Sequence, residues 1–199
     1  MSAFFYGLGT GFSLLLAIGA QNAFVLKQGL KQQYLFGVAL VCALSDSILI
    51  FLGVTGFSHV IVQFPYIPTI AQYVGAMFLF GYGLRSFYQA IYSDAALAPS
   101  QHEPESRLKI IGICLALTWL NPHVYLDTLL LVGSISTQFA PRIDLFASGA
   151  ILASWLFFFS LAYGAKILLP IFQRPQSWKI LDAAIGCVMW GIALHLVTG

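Results

Sequence analysis

Six stretches of this chain, roughly 3–26, 34–57, 66–91, 108–134, 144–169 and 178–198, are long and mainly apolar. A helix needs about 20 such residues to cross the hydrocarbon layer of a bilayer, and each stretch reaches that length. None alternates polar and apolar residues as a membrane strand does, which favours helices over a barrel. Composition agrees: 59% of the 199 residues are hydrophobic and 8% are charged, against about 25% charged in an ordinary globular domain. The chain lacks the polar side chains to clothe a soluble surface, so lipid must cover much of its exterior. The expected fold is an all-α integral membrane protein with six transmembrane helices.

The connections are short, with one exception. The polar segment 93–107 contains two prolines and divides a single transmembrane domain into halves 1–92 and 108–199 of three helices each. Orientation follows from lysine and arginine near the helix ends. Lys27, Lys31, Arg107, Lys109, Arg174 and Lys179 fall on one side and Arg142 on the other. The first, third and fifth loops are therefore expected in the cytoplasm and both termini outside. Three helices per half bring the second half into the membrane from the opposite side, which is the plan of a 3+3 inverted repeat. Gln21-Asn22-Ala-Phe-Val has a counterpart in Asn121-Pro122-His-Val-Tyr, and Gly81-Tyr-Gly83-Leu in Gly191-Ile-Ala193-Leu. These matches are short, and they allow the repeat without establishing it.

Several function classes drop out. A net charge of +2 without any basic run excludes nucleic acid as a partner. Cys42, Cys114 and Cys187 lie apart in three apolar stretches without metal-ligand spacing, so neither a metal site nor a disulfide framework is expected. They read as small core residues. No cofactor motif is present, and the first 26 residues lack the basic start of a cleaved signal peptide.

Polar groups inside apolar stretches carry the chemistry. A charged side chain at the centre of a spanning helix costs about 2.5–3.5 kcal/mol on insertion scales, so each one needs a reason. Asp46 sits in the middle of the second stretch, and its helical neighbours Ala39, Cys42, Ala43 and Gly53 are small enough to pack against another helix. Such a carboxylate can hold a cation, a proton or a substrate ammonium; its purely structural uses are a protonated side chain capping a neighbour's backbone or a pairing with Arg85. In the fourth stretch, Pro122 cannot donate to the carbonyl of Thr118, and a break or kink is predicted there. Asn121, Tyr125 and Thr128 then share one helical face, and His123 and Asp127 another. Gly19, Gln21 and Asn22 interrupt the first stretch with a helix-loosening glycine and two amides. Arg85 reads as a side chain reaching to the interface, and Asp182 as a charge complementing a helix N-terminus. His59, His102 and His195 are assigned no chemistry.

Three segments, Ala20 to Gly29, Leu44-Ser-Asp46-Ser47 and Thr118-Trp-Leu-Asn-Pro-His-Val-Tyr-Leu-Asp-Thr128, resemble the LysE family of basic amino-acid exporters, its arginine-exporting branch above all. The likeness extends along nearly the whole chain. It implies a transporter that expels L-arginine or L-lysine from the bacterial cytoplasm through the inner membrane, driven by a proton gradient or the membrane potential. It also implies a 3+3 inverted repeat. The family's functional positions fall on Gln21, Asn22, Asp46, Asn121, Tyr125 and Asp127, with helix breaks at Gly19 and Pro122. One departure stands out: where the family usually places proline beside the glycine, this chain has Ala17-Ile-Gly19-Ala20.

The resulting expectation is a secondary transporter in which Asp46 and Asp127 meet the two positive groups of a basic amino acid. Gln21, Asn22 and Asn121 meet its carboxylate, and the two halves rock about the site. Its partners are a basic amino acid, protons and the lipid bilayer; a second copy of the chain is an option the sequence leaves open. Export of another small amino acid and a passive channel stand as alternatives. An enzyme built on His123 and Asp127 lacks a serine or cysteine on the same face.

Overall fold

The computed structural model describes residues 2–16, 19–56, 66–92 and 106–198, and among these every regular element is a helix. The loop around His59 and most of the polar connection 93–107 lie outside the described residues.

The first apolar stretch forms two helices rather than one. Helix α1 (Ser2–Leu15) ends before Gly19, and α2 (Ala20–Lys31) begins just after it with its axis turned by 81°. The break forms here without prolines beside Gly19. Gly19 caps α2 in an extended conformation and offers no side chain, so the first amides of α2 have no side-chain cap. Asn22 ties the two pieces together: its Nδ2 donates to the Leu15 carbonyl at 2.8 Å, one of the orphan acceptors at the end of α1.

Helix α3 (Leu35–Val54) and the 27-residue α4 (Tyr66–Tyr92) follow. The fourth stretch breaks where proline predicts. Helix α5 (Arg107–Trp119) stops, and Pro122 opens α6 (Pro122–Tyr125), a position where its missing N–H costs no helical bond. From there the chain widens into a π-helical section, Leu126–Val132, before α7 (Gly133–Ser136). Helices α8 (Ile143–Gly164) and α9 (Pro175–Thr198) complete the bundle. Leu35–Val54, Ile143–Leu168 and Pro175–Thr198 are each long and apolar enough to cross a membrane, and α1 and α2, taken together as one bent pair, make a fourth candidate.

Small residues decide how these helices pack. Gly7 lies on the backbone of Phe146, Gly149 on that of Phe4, and Gly11 on Ala150 and Ala153, so α1 and α8 run parallel with their main chains in contact. Helix α2 carries the seam on, with Gly29 against Ala162 and Ala165. A second parallel seam joins α3 to the fourth stretch, where Gly53 meets Thr128 and Leu129, and Gly133 meets Gly53. The third pair, α4 and α9, is antiparallel: Gly83 sits beside Gly186 and Trp190, while the Gln72 amide donates to the Leu196 carbonyl. In hydrocarbon, such close approach through small residues is what holds helices together. Each of these pairs takes one helix from residues 1–92 and one from 108–199.

Phe24, Leu79, Phe158 and Met189 fill the centre, while Phe36, Phe51, Met77, Leu84 and Leu194 face outward. An exterior this apolar matches a lipid-facing surface. Cys42 and Cys114 are buried with their sulfurs 3.0 Å apart. Cys187 corrects the expectation of a third core cysteine: it is exposed, on the outer face of α9.

A methyl group at Gly149 would strike the Phe4 carbonyl, whereas one at Gly112 would meet nothing within 4 Å. Gly149→Ala is therefore expected to lose about 1–3 kcal/mol by overpacking. Gly112→Ala should stay within about 0.5 kcal/mol of the parent. Thermal unfolding of the detergent-solubilised variants checks both, and equal melting temperatures would dismiss the main-chain seam.

Candidate functional site

Both helix breaks open onto one cavity of about 270 Å³ in the interior of the bundle. That is near the small end of ligand pockets, about 300–1,000 Å³, and suits a single small ligand. Its walls are mostly apolar, from Leu14, Leu15, Ile50, Val132, Phe158 and Ile192. Six polar side chains interrupt them: Gln21 and Asn22 from α2, Asp46 from α3, and Asn121, Asp127 and Thr128 from the fourth stretch.

Asp46 is 5% exposed and accepts a hydrogen bond from the Ser154 hydroxyl of α8 at 3.0 Å. The serines on either side of it anchor the turn. The Trp119 indole donates to Ser45 Oγ at 3.2 Å and the Trp155 indole to Ser47 Oγ at 3.0 Å, while Ser47 donates to the Ala43 carbonyl. Three residues in a row on α3 are thus fixed by partners on α5 and α8, which aims the carboxylate into the cavity. Trp119, Ser154 and Trp155 were not singled out from the sequence. The available signal is a serine beside a tryptophan in the middle of a mainly apolar stretch.

Gln21 is nearly buried, and its amide nitrogen has no conventional acceptor among the described residues, lying only beside the Cys42 thiol. Burying an amide without a conventional acceptor is costly, and this donor belongs to a residue that lines the cavity. Gly19 lines the wall next to it, and the uncapped N-terminus of α2 adds the positive end of a helix dipole.

In the fourth stretch, Asn121 stands at the break and Asp127 and Thr128 follow in the π-helical section. Ordinary helical spacing puts Asp127 on a different face from Asn121. The break leaves Asn121 outside the helix, and Asn121, Asp127 and Thr128 all line the cavity. Tyr125 stands apart from them: its hydroxyl donates to the Trp119 carbonyl, which the break leaves without a helical partner. Pro122 opens α6 as expected; its ring and the His123 side chain lie outside the described residues.

Asp182 corrects a further expectation. It does not complement a helix N-terminus at the surface but is 7% exposed and paired with Lys27, which is itself buried.

The profile of the LysE type translocator family matches residues 12–199. The arginine exporter protein ArgO of Escherichia coli (strain K12) is 43% identical over 197 residues, covering 98% of this chain and 93% of its own. The protein of the same name in Shigella flexneri matches to the same extent. That of Salmonella schwarzengrund (strain CVM19633) is 42% identical over 198 residues, with the same coverage of both chains. No solved structure matches the chain.

If Ser154 orients Asp46, the two residues are energetically coupled. A double-mutant cycle of Ser154→Ala with Asp46→Asn is expected to give about 0.6–1.7 kcal/mol, the range of interhelical hydrogen bonds in membranes. Additivity of the two substitutions in unfolding experiments would mean that the contact contributes nothing.

Proposed function

We propose that this chain, which belongs to the LysE type translocator family, exports L-arginine across the bacterial inner membrane, with L-lysine as a second substrate. The protein is a multi-pass membrane transporter and not an enzyme. Substrate identity draws on the arginine exporters it resembles along nearly its whole length. The observation that carries the reading is the meeting of Asp46 and Asp127 with Gln21, Asn22 and Asn121 in one cavity at two helix breaks.

A basic amino acid brings two positive groups and one negative one. In our reading Asp46 and Asp127 receive the ammonium and the guanidinium, the latter by a two-pronged contact that suits a carboxylate. The unspent Gln21 amide and the N-terminus of α2 receive the carboxylate, with Asn22 and Asn121 completing the cradle. Tyr125 holds the shape of the break rather than the ligand.

Electrical work limits the coupling. An inside-negative potential opposes the exit of a cation by about 2.3 kcal/mol per charge per 100 mV. One returning proton per arginine makes the exchange electroneutral and leaves the pH gradient as the drive. Two make it electrogenic, so that the potential assists.

We read the chain as six spans in a 3+3 inverted repeat with both termini outside. In support, a two-fold relation that exchanges the halves turns the α1–α8 seam into the one between the fourth stretch and α3, and it turns the α4–α9 pair into itself. It also matches the break at Gly19 to the break at Asn121. The bodies that move in transport are then not the sequence halves 1–92 and 108–199, because every close seam joins one to the other. They are mixed pairs, each held together by main-chain contact.

Asp46→Asn is expected to abolish counterflow of labelled arginine in proteoliposomes while the protein still inserts; wild-type rates in that variant would remove Asp46 from the mechanism. Gln21→Leu loses a hydrogen bond to a charged group, about 1.5–3 kcal/mol, and should raise KM by roughly tenfold or more. Arginine flux that never saturates would point to a pore instead.

A further inference from the structure

Outside the cavity the bundle buries one charged cluster that the transport reading leaves unused. Lys27 of α2 is 4% exposed, forms an ion pair with Asp182 of α9, and donates to Gln89 Oε1 of α4 at 3.0 Å. All three lie toward the same end of the bundle, where the basic residues gather. Lys31 closes α2 there, Lys179 stands in the first turns of α9, and Arg107 at the start of α5 sits 5.6 Å over the Tyr34 ring.

The cluster is also placed along the route to the site. Lys27 follows the cavity residue Asn22 by five positions, about 7.5 Å of helix, and Asp182 precedes the cavity residue Ile192 by ten, about 15 Å. Between cluster and cavity lie the buried side chains of Phe24, Ile185 and Met189, with Tyr82 edge-on to Phe24. The cavity wall instead runs on through Gly11, Ile50, Val132 and Ala150 toward the opposite end. Buried side chains thus separate the cavity from the basic side, and the ion pair stands on the far side of them.

A buried ion pair is a poor device for stability, since apolar residues of similar volume often serve as well or better. It is a good device for a contact that must release. Lysine offers a carboxylate one compact ammonium, whereas a guanidinium offers two parallel donors in a planar fork. We propose that Lys27, Asp182 and Gln89 form the gate on the basic side, and that the guanidinium of an entering substrate opens it by taking Asp182 from Lys27. Asp182 thereby becomes a first, transient recognition site, ahead of Asp46 and Asp127. This rests on the arginine-export reading, with the basic side as the side of entry.

The test uses the full chain with its three cysteines replaced by alanine and Ile185→Cys as a reporter one turn beyond the gate. Inside-out vesicles present the basic side to a membrane-impermeant methanethiosulfonate. Labelling is expected to be slow, to accelerate about tenfold with arginine, and to stay slow with citrulline, whose neutral urea group replaces the guanidinium. In Asp182→Asn it should be fast without substrate and deaf to arginine. Gln89→Ala, which keeps both charges, should give a smaller acceleration, and it decides the matter if Asp182→Asn does not reach the membrane. Parental rates in these variants, or citrulline acting as well as arginine, would overturn the gate. Counterflow on the reporter parent keeps the two readings apart. Without arginine transport the export reading falls, while the basal rate in Asp182→Asn still judges whether the pair closes the bundle.

Discussion

Main chain without its helical partner cannot lie against hydrocarbon, and this molecule interrupts two of its apolar segments. Everything else in the site answers to that constraint. The interruptions at Gly19 and Asn121 face each other across protein, where side chains take over the lost bonds. Asn22 satisfies Leu15 and Tyr125 satisfies Trp119. The N-terminus of α2, without a side-chain cap, and the Gln21 side chain stand at a cavity that a polar ligand can fill. Irregular backbone at membrane depth is tolerated where it lines such a space, so the breaks and the cavity imply one another.

The carboxylate at the centre is managed by the same logic. Asp46 is surrounded by small residues on its own helix and receives its hydrogen bond from a neighbour, Ser154. The indoles of Trp119 and Trp155 hold the serines beside it, so its direction is set by two other helices. A loop would leave such a group free to turn toward any stray donor. Mounted between three packed helices, it keeps one orientation.

Much of this was legible in the residues. Long apolar runs announced the helices, the Asn-Pro pair announced the second break, and an aspartate in greasy surroundings announced the site. What was not legible depended on relations between distant segments. Lys27 reads only as a basic residue near a helix end, because nothing local reveals that Asp182, 155 positions away, is brought against it. The π-helical turns from Leu126 to Val132, and the shared cavity of Asn121 and Asp127, have no marker in a pattern read at 3.6 residues per turn. The role of glycine in the first break was foreseen only in part, since the missing prolines implied a looser joint than the sharp bend that Gly19 and Asn22 make.

The glycine seams carry a consequence for how the molecule is made. Every glycine seam among the described residues unites an early segment with a late one, so the early side of each seam leaves the ribosome before its partner exists. The early helices must wait in the insertion machinery or the lipid with their smoothest faces bare, until the later ones arrive to cover them. Assembly of this protein is therefore a single late event, and a chain cut short in its second half leaves no stable half behind.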